Sequence, residues 1–276
     1  MGRYDGIMIL SDLDGTLLGK GGRIVPRNIE AIRAFCREGG RFTIATGRHA
    51  AHLRQALPEV VSLVNMEVVT ANGACLYDFA QERATQETFM ETGLTRDILL
   101  YAREHYPDLG FRITTPLGFL TDGRGEIIER FIRDAAGQRY TVEVAPIEQW
   151  DACERRWYKV VFRGDGRRLD ALEADVRRLF GDVLCYSKSS DTFFELQHAS
   201  CSKGIMLRQL KKKTEAALGR AVKTCAVGDY GNDISMLRAA DVAVCPANAH
   251  PDVKAICDLC LCDHDEGVLA DLIGRL

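Results

Sequence analysis

No stretch of this 276-residue chain approaches the roughly 18 consecutive apolar residues that a membrane-spanning helix requires. Residues 1–5 carry no apolar segment of signal-peptide length, so the expected location is the cytoplasm, with no membrane partner. The seven prolines are scattered, and neither an internal repeat nor a low-complexity tract is present, which argues against a repeat array or a disordered chain. Charge of one sign is also lacking. A formal net charge of -3 gives no general attraction to nucleic acid, and none is expected as a partner. Ten cysteines without an export signal read as reduced thiols, with Cys225 and Cys245 behaving as small hydrophobes inside apolar runs.

What is present is an ordinary globular composition, 46% apolar and 27% charged, in a chain long enough for one large domain or two smaller ones. Apolar, β-branched runs recur, each ending abruptly in polar or glycine-rich sequence. Residues 7–10 lead into Ser-Asp-Leu-Asp-Gly-Thr, 42–45 into Thr-Gly-Arg, and Val68-Val69 into Thr-Ala-Asn-Gly-Ala. Between the first two, Pro26 opens a helix whose stripe of Ile29, Ile32 and Phe35 stops at Gly39-Gly40. The same grammar returns late, with 224–227 leading into Gly-Asp-Tyr-Gly-Asn-Asp, a helix around 234–240, and 242–245 leading into Pro-Ala-Asn-Ala. Such alternation predicts an α/β fold, a Rossmann-like doubly wound parallel sheet whose ligands gather beyond the carboxyl ends of the strands.

The middle of the chain has another texture. Helices are expected at 95–105, 126–135 and 167–180, with strands at 111–114, 119–121, 140–144, 158–162 and 183–186. This is the pattern of an inserted α+β domain. The expected division is a core of 1–83 plus 191–276 and an insert of 84–190.

Four clusters carry chemistry. Asp12 and Asp14 stand two residues apart at a strand end, and Gly15 lets the chain swing both around one centre. Such a pair can divide labour, one carboxylate attacking phosphorus while the other delivers a proton; an ordinary turn would also use Asp and Gly. Asp229 and Asp233 add carboxylates after another strand, the oxygen ligands that octahedral magnesium takes. Metal and nucleophile belong together, because a phosphate dianion repels Asp12 until a cation neutralises it. Thr46, Gly47 and Arg48 offer a hydroxyl and amides for phosphate oxygens, and Lys203, before Gly204, can screen charge developing in transfer.

These segments, with 70–74 and the run from Ala247-Asn248-Ala249 to Asp265-Glu266-Gly267-Val268, closely resemble the motifs of the haloacid dehalogenase-like hydrolase superfamily, in its Cof-like phosphatase branch. The resemblance covers nearly the whole chain in order and spacing. It implies that Asp12 forms an aspartyl-phosphate and binds Mg2+, and that Asp14 acts as acid, then base, lending its backbone carbonyl to the metal. Asp229 would complete the ligand set, with Asp233 ligating directly, through water, or by orienting its neighbours. Thr46 and Lys203 would hold the transferring phosphate, and Asn232 would position Lys203 or the phosphate. The site would lie between core and cap, with cap closure excluding water.

The expected function is a magnesium-dependent phosphatase for a small phosphorylated metabolite. By resemblance the substrate is a sugar phosphate, with flavin mononucleotide and pyridoxal phosphate as alternatives. Asp14 favours hydrolysis over an ion-pump relative, which carries threonine there. A hexose phosphomutase and a non-catalytic phosphometabolite sensor are the competing readings. Monomer and homodimer are both compatible with the sequence. Cys257, Cys260, Cys262 and His264 have the look of a zinc cluster but are read as thiols near a helix end and the last core strand. Arginines 112, 124, 130, 133, 155, 156 and 163 in the insert are read mostly as surface charges, some available to an anionic substrate. Trp150, Trp157 and Phe119 are read as cap core before pocket lining.

Overall fold

The strands are β1 (Ile7–Ser11), β2 (Arg41–Ile44), β3 (Val68–Thr70), β4 (Cys75–Asp78), β5 (Arg83–Glu87), β6 (Gly110–Thr115), β7 (Gly118–Thr121), β8 (Thr141–Val144), β9 (Lys159–Arg163), β10 (Leu184–Ser190), β11 (Phe193–His198), β12 (Lys223–Val227), β13 (Val242–Cys245) and β14 (Leu259–Cys260). They are seen in a computed structural model that describes residues 2–137, 140–152 and 155–276. The chain divides into two units: Met1–Gly47, Leu57–Gln86 and Ser202–Leu276 form the first, Arg48–Ala56 and Glu87–Cys201 the second.

In the first unit, five strands make a parallel sheet in the order β14-β13-β12-β1-β2. Parallel strands are covered on both faces, which is why Met8, Ile9 and Leu10 are all fully buried and the runs show no polar alternation. Helix Pro26–Arg37 starts on its proline and buries Ile32 and Phe35, as the spacing requires. Helix Lys203–Leu218 packs Met206, Leu207 and Leu210 into one cluster with Met8, Leu10 and Ala226. Each of these leucines and methionines contributes roughly 1.5–3 kcal/mol by leaving water. Strands β3, β4 and β5 form a separate small sheet, tied to the run after β2 by the Ala45–Val69 bridge. The helix expected at 234–240 is shorter, a 3-10 turn at Gly231–Asp233 followed by Ile234–Leu237.

The second unit holds a six-stranded sheet, β10-β11-β9-β6-β7-β8. On one face Phe111, Ile113, Val160, Phe162, Phe194 and Leu196 join helices Thr92–His105 and Gly166–Phe180 in a single core. Trp150 and Trp157 belong to that core, their rings 5.7 Å apart and edge-on, with Trp150 Nε1 donating to the Ala145 carbonyl at 2.7 Å. The alternate positions point to the other face. There the register sets Arg112 against Val161, and Thr114 and Gln197 against Lys159.

Two boundaries differ from those expected. Strand β11, placed by sequence in the core, pairs antiparallel with both β9 and β10, because its alternation of apolar Phe194 and Leu196 with polar Glu195 and Gln197 fits a two-faced sheet. Residues Arg48–Ala56 also group with the second unit, where the His49 ring meets Phe119 at 5.0 Å and Tyr140 at 5.5 Å, both edge-on. The described cysteines, nine of the ten, are free thiols, and Cys153 lies outside the described residues.

His49 is 1% exposed. Burial, followed by the charges of His52, Arg112 and Lys159, pulls its pKa from 6.5 down to about 3. Unfolding therefore takes up a proton at any pH between those values, so this contribution to stability is full above the unfolded pKa and is lost as pH falls toward the folded one. Lowering the pH from about 7.5 to about 5.5 should cost the wild type about 1.4 kcal/mol through this group. Urea unfolding of His49→Gln should lack that loss; the same pH dependence in both proteins would refute the assignment.

Candidate active site

Asp12, Thr46 and Asp229 sit where parallel strands of the first unit run out, and Lys203 sits at the start of a helix. Asp12 follows β1, its amide donating to the Val227 carbonyl of β12 at 2.7 Å. Thr46 follows β2, tied in turn by its amide to the Val69 carbonyl and by its carbonyl to the Asn72 amide, both at 2.9 Å. Asp229 follows β12 after Gly228, and Lys203 opens the helix capped by Ser202, whose hydroxyl accepts the Ile205 amide. A parallel sheet aligns its carboxyl ends along one edge, and residues more than 200 positions apart in sequence become neighbours there.

The centre is a buried lysine between two carboxylates. Lys203 Nζ lies 2.5 Å from Asp12 Oδ1 and 2.6 Å from Asp233 Oδ1, with Lys203 and Asp233 fully buried and Asp12 6% exposed. The second oxygen of Asp233 accepts the amides of Asp229 and Tyr230 at 3.0 and 3.2 Å. Thr16 donates to Asp229 Oδ1 at 2.9 Å. Gly15 has a φ of +80°, and a Cβ there would stand 2.5 Å from Asp229 Oδ2, so both the turn and the approach of Asp229 depend on glycine. Gly204 is needed for packing, since a Cβ would fall 2.1 Å from the Ser235 carbonyl oxygen.

The electrostatics follow from enclosure. Burial, then repulsion from Asp233, raises the Asp12 carboxyl well above the usual range, against the pull of Lys203. Asp229 is pushed up to about 6 by burial and by Asp233. Burial alone would lower the Lys203 ammonium, but Asp12 and Asp233 together hold it above its ordinary value. Three carboxylates against one ammonium leave an excess of negative charge. Asp12, Asp229 and Asp233 each bring an oxygen to a common point, all within 4.8 Å of one another, a hard-oxygen set suited to a divalent cation.

The other expected residues are placed as follows. Asp14 is exposed and stands outside that three-carboxylate group. Arg48 belongs to the second unit, with Nη1 3.4 Å from His52 Nε2, whereas Thr46 and Gly47 belong to the first. Asn232 Nδ2 donates to Asn72 Oδ1 at 3.3 Å. Asn72 received no role from sequence, although its segment was part of the resemblance; its φ of 55° in Thr-Ala-Asn-Gly is the local signal of a specialised turn. Asn248 likewise had none, and its Nδ2 donates to the Gly15 carbonyl at 2.8 Å, bracing the loop that follows β1. Among the described residues the cysteine cluster forms no three-ligand group; Cys260 lies on β14 opposite Cys245.

A parallel α/β sheet carrying buried aspartates and a lysine at its carboxyl edge defines a hydrolase of the phosphoryl-transfer class. The family model described as haloacid dehalogenase-like hydrolase matches residues 9–273, and the chain belongs to that family, in its Cof-like phosphatase branch. It is similar to the phosphatase YwpJ of Bacillus subtilis, 28% identical over 300 residues covering 98% of this chain and 99% of the relative. It is also similar to the pyridoxal phosphate phosphatase YbhA of Escherichia coli, 25% identical over 272 residues covering 96% and 97%. A solved haloacid dehalogenase-like hydrolase from B. subtilis shares the fold with a TM-score of 0.81, at 24% identity over 98% of this chain and 99% of that one. The protein is a phosphatase of this family. Among the described residues no helix is long and apolar enough to cross a membrane.

Proposed function

We propose that this protein is a magnesium-dependent phosphatase of small phosphorylated metabolites, with sugar phosphates the leading substrate class and Asp12 the nucleophile. The observation that carries the reading is the buried Lys203 ammonium bridging Asp12 and Asp233 beside Asp229. An Asp12 oxygen forms the bond to phosphorus as the ester P–O bond breaks, and Asp14 gives its proton to the departing oxygen. Asp14, now a carboxylate, takes a proton from the water that attacks phosphorus, releasing phosphate and restoring Asp12. Lys203, Thr46 and Gly47 stabilise the transferring phosphoryl group, and exposure of Asp14 suits a residue that must meet both ester and water.

Asp12, Asp229 and the Asp14 carbonyl would hold magnesium. Asp233, both of whose oxygens already accept hydrogen bonds, is assigned to orient Lys203 and Asp229. Bound magnesium supplies the charge neutralisation that lets a carboxylate approach a phosphate dianion. The pyridoxal phosphate relative supports that ester as a second probe. On a panel of phosphate esters, inorganic phosphate should appear with magnesium, fall at least roughly a hundredfold with excess chelator, and return when magnesium is restored. Release of phosphate from none of the panel, or full activity in chelator, would overturn the proposal.

A further inference from the structure

Two hydrogen-bond donors on the polar side of the second unit lack an acceptor among the described residues. Arg112, on β6, has its guanidinium carbon 4.4 Å from the ring centroids of both Phe119 and Phe131, and its Nε is buried without a hydrogen-bond partner. The carboxylate whose charge it feels, Glu195, is engaged elsewhere, accepting from Lys159 Nζ and the Ser189 hydroxyl, each at 2.8 Å. Burial lowers the Arg112 guanidinium to about 10, so it stays charged at neutral pH. The guanidinium packs against both rings, whose centroids are 5.2 Å apart and edge-on to each other, and this packing holds its planar fork in one orientation, as recognition of an anion requires.

The second donor is His49. Its Nδ1 accepts the His52 amide at 3.4 Å, which puts the proton of the neutral ring on Nε2. That buried Nε2 has no hydrogen-bond partner. His49 and Arg112 share one wall, since the Phe119 ring lies 5.0 Å from the imidazole and 4.4 Å from the guanidinium carbon. Tyr140 closes another side, 5.5 Å from His49 and 5.3 Å from Phe119. The remaining arginines singled out by sequence differ: 124, 130, 133, 155 and 156 are exposed, and Arg163 is half-buried against Phe193.

We propose that His49 and Arg112 form an oxyanion-binding subsite, walled by Phe119, Phe131 and Tyr140, that selects phosphate monoesters carrying a second anionic group, a carboxylate or a phosphoryl. Its assignment to the substrate rests on the phosphatase reading above, and the chain supplies a link, His49 standing three residues after Thr46. Two donors and no free carboxylate favour an acceptor-rich group, and a charge-assisted bond to Arg112 separates such a substrate from its uncharged counterpart by roughly tenfold to a hundredfold.

Three probes share a six-carbon frame: glucose 6-phosphate, 6-phosphogluconate and glucose 1,6-bisphosphate. In the wild type, kcat/KM for one of the latter two should exceed that for glucose 6-phosphate by about tenfold or more, chiefly through KM. Which probe is favoured distinguishes carboxylate from phosphoryl. Arg112→Gln should bring that ratio to within about threefold of one, and Arg112→Lys, which keeps the charge but not the fork, should recover part of it. A merely structural Arg112 would lower all three substrates together, and that result, or a wild-type ratio near one for both probes, overturns the subsite while leaving the phosphatase intact. Calorimetric binding of the same probes with magnesium covers the other case. Binding of a doubly anionic probe that is lost in Arg112→Gln, without turnover of any ester, upholds the subsite and refutes the phosphatase; no Arg112-dependent binding and no turnover refute both.

Discussion

Asp12→Asn protein should release phosphate at least roughly a thousandfold more slowly than wild type on every ester the enzyme accepts, while keeping its fold. The amide has the same shape but cannot form the acyl-phosphate bond at a useful rate. Preservation of the fold follows from the site's charge balance. Asp12 is one of three carboxylates crowded around Lys203, and burial and Asp233 already disfavour its charged form. Removing that charge relieves repulsion while Lys203 keeps Asp233 at 2.6 Å. Thermal unfolding of the variant should occur within a few degrees of wild type, or above it. Wild-type turnover by a folded Asp12→Asn protein would eliminate Asp12 as nucleophile.

Substituting the lysine has the opposite signature. Lys203→Met fills most of the same volume but leaves Asp12 and Asp233 facing each other, 8% and 0% exposed at their side chains, without the cation that joins them. Breaking a buried ion pair from one side costs about 3–5 kcal/mol, because the stranded charge cannot regain water. The variant should therefore lose both activity and stability in chelator. Excess magnesium should restore part of the stability but little of the activity, since a cation that binds the folded carboxylates favours the folded state without replacing the lysine at the phosphoryl group. Urea unfolding with and without magnesium measures this, and a Lys203→Met protein as stable as wild type in chelator would show that the pairing contributes nothing.

The local rules made much of the first unit legible. Parallel strands buried on both faces must be continuous apolar runs, and their abrupt endings at Asp12, Thr46 and Asp229 mark the edge where a ligand binds. Asp-Leu-Asp-Gly-Thr was readable because a glycine must stand where φ is +80° and a Cβ would strike Asp229. Other features were hidden. Asn72 and Asn248 act through partners 160 and 233 residues away, and a lone asparagine in a loop carries no mark of such a partner. Strand β11 was assigned to the wrong unit because its residues are compatible with either sheet until β9 and β10 supply the pairing.

Arg112 shows the limit most sharply. Seven arginines of the insert looked alike in sequence, and packing against two rings separates Arg112 from five exposed ones. By itself the sequence determined the α/β grammar, the strand-end carboxylates and the family to which Asp12 and Asp14 belong, because these depend on period, neighbouring residues and spacing. Only the tertiary structure decided that Lys203 lies between Asp12 and Asp233, that β11 completes the second sheet, and that His49 and Arg112 share the ring of Phe119. Those facts depend on which distant segments are packed together, and desolvation and pairing energies exist only once they are.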